Sequence, residues 1–304
     1  MTQDQQLALF SAIMNRYEII NLLKGYIMNS KLSLTFFSTL FTIAIGSSIA
    51  FADFDPKDPE SIMKEVESRV SGDKSKSRLV MKIIDKDGRT RERVVQSRAM
   101  EFKEGSKQIM YFESPADIRG TGLLSVDYDD GTKDDDQWLY LPSLHKSTRI
   151  SSGEKSGSFM GTDLSFSDMT SADPSHYSYK MLKESVNIKL DDKAEDCWVI
   201  ESRPKTDKAK KETGYVKSQV WVSKSKMMPV QIKSYIRKGK KIKYIQFKDI
   251  KKVNDLWTTH TIIARTTRGK SVESTTVLQF SEMSYNNADV TPDLFVQSRL
   301  EQGL

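Results

Sequence analysis

The chain has 304 residues, of which 38% are hydrophobic and 29% charged, with eight prolines, so it reads as a globular protein and not as a fibrous or wholly disordered one. Its formal net charge of +6 is mildly basic, which favours anionic surfaces without choosing between nucleic acid and phospholipid. A single cysteine, Cys197, excludes an internal disulfide, and with three scattered histidines no Cys/His cluster has metal-ligand spacing.

In chain order, the first strong signal begins at Met28. The text MNSKLSLTFFSTLFTIAIGSSIAFADFDP has one early lysine, Lys31, an apolar run from Leu32 to Ile45, and small residues leading to Ala50, Phe51 and Ala52. This predicts a signal peptide over 28–52, with an A-x-A cleavage site at Ala50 and Ala52 ahead of Asp53. The apolar run is shorter than the roughly 18 to 20 residues of a spanning helix, so cleavage is favoured over a retained anchor. Residues 1–27 carry a weakly amphipathic stretch (Leu7, Phe10, Ile13, Ile20, Leu23). They read as an N-terminal extension produced by a start codon assigned upstream of the true initiator, Met28. No cysteine follows the apolar run, so the mature chain, 53–304, is expected to be a soluble periplasmic protein and not itself lipid-modified.

Asp58, Pro59 and Glu60 open a helix whose apolar positions Ile62, Met63, Val66 and Val70 recur at helical spacing. Alternating runs follow at 78–85, 91–103, 106–113, 121–128 and 137–141. They are separated by Asp87-Gly88, Glu104-Gly105 and Asp130-Gly131, which is hairpin chemistry. Asp127, Asp129, Asp130 and Asp134 to Asp136 crowd one of these turns. Thr132 stands where a calcium loop needs glycine and Trp138 where it needs glutamate, so a solvated turn is the expectation.

The run from Gln137 to Met169, QWLYLPSLHKSTRISSGEKSGSFMGTDLSFSDM, is the most distinctive in the chain. Trp138 and Tyr140 fall on one face of a strand and Leu139 and Leu141 on the other, so both faces are expected to be covered. Pro142 ends that strand, and a second short strand lies around Lys146 and Arg149. A Ser/Gly segment from Ser151 to Ser158 then delivers Phe159 and Met160, and it reads as mobile, able to swing bulky apolar groups over a concave surface.

The second half continues with strand-like runs at 178–182, 197–203, 216–223, 229–237, 241–250, 260–267 and 271–282. Residues 170–177 and 290–299 read as short helices. No long helices alternate with the strands, so roughly eleven strands in one mostly antiparallel sheet, forming one mature domain, is the economical architecture. Cys197, beside Trp198 in an apolar run, reads as a packed thiol.

Three pieces of the chain, SPADIRGTGLL (114–124), QWLYLPSLHKSTRIS (137–151) and SFMGTDLSFSDM (158–169), resemble, in order and spacing, the bacterial outer membrane lipoprotein-sorting proteins, relatives of the periplasmic carrier LolA. The departures are conservative. The family has a more basic run after LPSL, and a Gly-Ser-Asp-Phe where this chain has Gly161, Thr162, Asp163 and Leu164. The resemblance implies a mainly β fold with a few helices, a curved sheet forming an unclosed barrel whose apolar hollow the helices cover. It also implies acyl chains of lipids or lipoproteins as the ligand class.

No catalytic constellation stands against this reading. His145, His176 and His260 are isolated, GEKSG (153–157) is not a G-x-S-x-G elbow, and Gly120-Thr121-Gly122 lacks the third glycine of a dinucleotide loop and reads as a tight turn or bulge. The lysine runs at 205–211 and 237–243 read as hairpin turns that keep strand ends soluble, with attraction to anionic headgroups as the alternative. Secretion disfavours nucleic acid.

The expected function is a monomeric, non-enzymatic periplasmic carrier without cofactor or metal, moving acyl chains toward the outer membrane between an inner-membrane exporter and an outer-membrane receptor. Each buried methylene contributes about 0.8 kcal/mol, on the order of 10 kcal/mol for one chain, so unaided desorption from a membrane is slow. Candidate lipid-binding or gating residues are Trp138, Tyr140, Phe159 and Met160, with Leu164, Phe166, Trp221 and Trp257. The alternative is an accessory protein that docks on a membrane lipid exporter of the RND type.

Overall fold

The computed structural model describes residues 54–69 and 72–303. The expected signal peptide with Ala50, Ala52 and Asp53, the extension before it, and Val70 lie outside the described residues.

Helix α1 (Pro59–Glu67) starts where the sequence predicts. The Asp58 carboxylate caps it by accepting from the backbone N–H groups of Glu60 and Ser61 at 3.1 and 3.0 Å, and Pro59 sits in the first turn, where no N–H is needed. A first meander follows: β1 (Lys74–Asp85), β2 (Thr90–Phe102), β3 (Gly105–Ser114), β4 (Gly122–Tyr128), β5 (Asp136–Leu141) and β6 (Lys146–Arg149). The second meander is β7 (Tyr177–Leu190), β8 (Lys193–Pro204), β9 (Tyr215–Ser223), β10 (Met228–Ile236), β11 (Lys241–Val253), β12 (Leu256–Arg268) and β13 (Ser271–Tyr285). Helix α2 (Asp207–Thr213) interrupts it, and α3 (Gln297–Gln302) follows it.

Among the described residues all strands belong to one thirteen-stranded sheet in the order β6-β5-β4-β3-β2-β1-β13-β12-β11-β10-β9-β8-β7. Every pairing is antiparallel, and the two meanders are joined by β1 against β13, with Met81 opposite Leu278. β6 and β7 are the two edges, so the sheet does not close. It nevertheless curls until its flanks meet: Lys208 on α2, beyond β8, bonds to the Lys133 carbonyl at 2.5 Å and lies 3.2 Å from Asp134 in the β4–β5 turn. This is the unclosed barrel that the family resemblance implies.

The sheet holds thirteen strands against the roughly eleven expected, with the four-residue β6 at the short strand around Lys146 and Arg149 and β7 extending the run at 178–182 to 177–190. β7 carries Lys183 and Glu184 through a bulge, as befits an edge. The lysine run at 205–211 is a helix instead of a hairpin turn. Thr206 caps it by accepting the Ala209 N–H at 3.2 Å, Asp207 lies in its first turn, and Gly214 ends it in the left-handed conformation at φ 66°. The run at 237–243 is the expected hairpin turn, leading from β10 into β11. Of the two expected short helices, residues 174–176 form only a 3-10 turn, while 292–294 form a second such turn ahead of α3.

Alternation assigns the two faces. On the convex face of β3–β5, Ile109, Tyr111, Leu124, Trp138 and Tyr140 are covered by Val290, Phe295 and Leu300 from the C-terminal segment. The Tyr111 hydroxyl donates to the Arg299 carbonyl at 2.6 Å. Gly122 lacks a side chain because Leu300 and Tyr111 fill that space, with atoms 2.8 and 3.0 Å from where a Cβ would stand. Gly120 makes the tight turn before it at φ 80°.

On the concave face the principal core gathers residues from the centre of the sheet, including Leu79, Met81, Val95, Phe112, Ala264 and Leu278, around Phe159 and Leu164. Those last two come from the strap, residues 150–176, which crosses the hollow from β6 to β7. The strap is packed into the hollow around Phe159. Phe159 is fully buried between Phe112 and Phe166, with ring centroids 6.0 and 5.6 Å away. Burying such a ring contributes about 3 kcal/mol. The segment turns tightly at Met160 (φ 50°) and Gly161 (φ 72°), and the Met160 carbonyl accepts from Arg93.

Candidate functional site

Between α1, the concave face and strap residues 164–172 lies a cavity of about 710 Å³, within the roughly 300–1,000 Å³ range of small-molecule sites. Its floor is apolar, formed by Leu79 and Met81 on β1, Met110 on β3, Ile245 on β11, Ile262 on β12 and Leu278 on β13. Met63 and Val66 on α1 cover it, because the helical period that buries Ile62 against Trp198, Ile200 and Val222 turns these two toward the cavity. Leu164 closes the inner end and Met169 forms part of the wall.

The flanks are lined by small polar residues. Ser75 and Ser77 on β1, Ser97 and Ala99 on β2 and Gln108 on β3 form one flank; Ser202, Ser218 and Ser234, neighbours across β8, β9 and β10, form the other. Small side chains on two strand flanks, where close packing would otherwise place larger ones, are what leave the volume open. The exposed residues Glu67, Glu101, Ser171 and Ala172 form the rim, so the cavity reaches solvent there.

Asp127, expected in a solvated turn, stands at this rim half-buried and accepts the Ser171 N–H at 2.6 Å. Its position depends on Gly105, which pairs with the neighbouring Tyr128: a Cβ there would fall 2.0 Å from the Asp127 carbonyl oxygen. Burial, opposed by the Ser171 N–H and reinforced by the Asp135 and Glu67 charges, pushes the Asp127 carboxyl up to about 7.

The strap is fastened by polar contacts at three points. Lys155, 1% exposed, is bonded to Glu212 on α2 and to the Asp135 carbonyl, both at 2.9 Å. Asp163 accepts from Ser274 at 2.5 Å and Thr276 at 2.8 Å. Asp168 accepts from Lys243 on β11 at 2.6 Å and from the Tyr215 hydroxyl on β9 at 2.8 Å. Gln137 on β5 adds a bond from its amide to the Phe166 carbonyl at 2.9 Å.

A family model described as "Uncharacterized protein" matches residues 104–302, spanning β3 to α3. The chain belongs to that family. Among solved structures it is similar to a domain ascribed to an outer membrane lipoprotein-sorting protein from Vibrio parahaemolyticus (27% identity, TM-score 0.70), the match covering 81% of this chain and all of that one. It is similar too to a DUF1329 family protein from Desulfovibrio piger (28% identity, TM-score 0.69, 80% of this chain and 99% of that one). A LolA superfamily protein from Nitrosomonas europaea shares the fold at 20% identity and TM-score 0.58, over 79% of this chain and 98% of that one. No curated protein matches the chain. The likeness to lipoprotein-sorting and LolA-type proteins that the three sequence pieces carry is therefore present in the structure as well.

In this family member the residues singled out from sequence are dispersed, and of the eight only Leu164 lines the cavity. Trp138 and Tyr140 are on the convex face under the C-terminal segment. Trp221 packs with Leu190, Cys197 and Val230 on the outside of β8–β10, and Trp257 lies beneath Lys226 and Lys252. Phe159, with Met160 and Phe166 against it, belongs to the core inside the strap. Aromatic bulk directed that selection to other aromatics than those that line the cavity, which are Phe247, Phe280, Tyr177, Tyr179, Tyr215 and Tyr285, alongside aliphatic, methionine and serine side chains. A recoverable signal was the run of small residues at alternate positions on adjacent strands, Ser75 and Ser77 on β1 with Ser97 and Ala99 on β2. Cys197 is fully buried, and burial pushes its thiol up to about 12, as suits a packed cysteine. The histidines are not brought together: His145 follows β5 in a left-handed turn, His176 precedes β7, and His260 is in β12 with its ring nitrogen 3.0 Å from the Asp249 carbonyl.

Proposed function

We propose that this protein is a periplasmic, non-enzymatic carrier that holds the acyl chains of a lipid or lipoprotein in the cavity between α1 and the concave sheet and moves them toward the outer membrane. The observation that carries this reading is the cavity itself, with an apolar floor large enough for a flexible chain, a helical cover and a rim open to solvent. The aliphatic and methionine side chains of the floor, bordered by Phe247 and Phe280, can adapt to a disordered chain. The similarity to a lipoprotein-sorting domain supports the same ligand class. A hollow that stands in for the bilayer interior lowers the barrier to leaving a membrane, and release needs a receiver at least as favourable. An inner-membrane exporter as donor and an outer-membrane receptor as acceptor supply the two ends of that exchange, with the carrier acting as a monomer. Export through a signal peptide over 28–52 would deliver the mature domain, 53–304, to the compartment where the work is done.

The test is mass spectrometry of the organic extract from protein purified out of the periplasm without detergent, with N-terminal sequencing of the same sample. Acylated molecules near one per protein and a first residue of Asp53 are expected. An empty extract, from protein that also fails to take up a fluorescent fatty acid, would overturn the carrier reading.

A further inference from the structure

The two polar flanks of the cavity differ in how their hydroxyls are used. On the β8–β10 flank, Ser218 and Ser234 satisfy each other at 2.8 Å, and of its three serines only Ser202 has a hydroxyl without a bonded protein group among the described residues. On the β1–β3 flank, the side chains of Ser75, Ser77, Ser97 and Gln108 face the cavity and make no hydrogen bond to any described group of the protein. Ser97 is only 5% exposed. These groups are also in register. Ser77 pairs with Ser97 across β1 and β2, while Ser75 pairs with Ala99, which in turn pairs with Gln108 on β3. Side chains at directly paired positions stand about 5 Å apart, so the flank presents two neighbouring rungs of donors and acceptors beside an apolar floor.

From this we infer that the β1–β3 flank is a specificity site for the polar linkage of the cargo: it seats the ester or amide carbonyls and adjoining hydroxyls of an acylated molecule whose chain lies on the floor. The inference rests on the carrier reading above and narrows it to amphiphiles. A plain hydrocarbon laid over this flank would strip water from the hydroxyls and return nothing, whereas an ester, amide or glyceryl group replaces that water bond for bond. The amphiphile is also oriented by the arrangement, with its linkage against β1–β3 and its chain toward Leu278 and Ile262.

The test measures binding of N-phenyl-1-naphthylamine, an apolar fluorescent reporter, and its displacement by 1-monolauroylglycerol, in the wild type and in the double variant S77V/S97V, for which S77T/S97T is the isosteric control. Losing about two hydrogen bonds should weaken monolauroylglycerol roughly 10- to 30-fold, leave reporter binding equal or tighter, and be reversed in S77T/S97T, which restores the hydroxyls. Should S77V/S97V fail to fold, S75V/Q108L on the neighbouring rung makes the same measurement. If the valine variant binds both compounds as the wild type does, the inference is overturned while the carrier reading stands. If the wild type binds neither, both fall together.

Discussion

Lys243 Nζ lies 2.6 Å from Asp168 Oδ2, an ion pair with side chains 6% and 14% exposed that fastens the strap to β11. The Tyr215 hydroxyl bonds to both partners, accepting from Lys243 at 2.7 Å and donating to Asp168 at 2.8 Å, and Ser165 adds its N–H at 2.7 Å. Burial opposes ionisation of Asp168, but the Lys243 charge and these bonds outweigh it and hold the carboxyl below its ordinary value.

Lys243→Met should therefore destabilise the protein by about 3–5 kcal/mol, because it leaves a buried carboxylate unpaired. The double variant Lys243→Met/Asp168→Asn should recover part of that loss. Urea unfolding of the three proteins checks both statements, and equal midpoints would show that the pair does not hold the strap.

Phe159→Ala should cost about 3–5 kcal/mol, since the ring is fully buried among Phe112 and Phe166. Met160→Ala, at a half-buried position, should cost markedly less. A swinging flap would leave stability unchanged by either substitution, so thermal melts of the two variants distinguish a strap from a gate.

Ile262→Trp places bulk into open volume and so should spare the fold while lowering affinity for a fluorescent fatty acid at least tenfold. The same substitution at a close-packed site would overpack and destabilise. Unchanged affinity with an unchanged melting temperature would move the binding site away from this cavity.

The pH dependence carries a definite sign at Asp127. Its carboxyl rises from an ordinary 3.8 to about 7 in the folded protein, so the native state binds more protons than the unfolded chain between those values. Stability from this group is complete below the unfolded value and is lost as pH rises toward 7; it changes no further above that. Asp168, held below its ordinary value, acts in the opposite sense and contributes stability that is present above the unfolded value and lost as the solution is acidified from there through its lower folded value. Asp127→Asn should flatten the decline in melting temperature between about pH 4 and 7 and leave the acid limb intact. A decline that persists in the variant would assign it to another group.

The sequence revealed local punctuation more readily than faces. Asp58 and Pro59 announced α1, and Asp87-Gly88 and Lys238-Gly239 marked hairpins, because caps and turns depend on the few residues that form them. The side of β5 that faces the hollow was not legible. Trp138 lies beneath the C-terminal segment, while Gln137 and Leu139 alternate onto the strap side, where the Gln137 amide bonds to the Phe166 carbonyl, and apolar residues on both faces left alternation unable to rank them. The cavity was illegible for a related reason. Space is created by what side chains fail to fill, and serines on neighbouring strands look like solvent-facing positions until the register brings Ser77 beside Ser97. The lysines of α2 pointed to a turn by composition, while its helical character rested on Thr206 and Gly214 at its two ends.

The centre of the sheet is the seam where Ser75 meets Tyr285, the two ends of a chain segment more than two hundred residues long. A nascent chain would leave β1 with one side bare throughout synthesis, since the strand that covers it is made last. Closing so long a loop is entropically costly and such topologies fold slowly. Until that seam forms, an open strand edge beside an unfinished greasy trough is the place where this polypeptide is most exposed to pairing with a stranger, and where a holding chaperone would have most to guard.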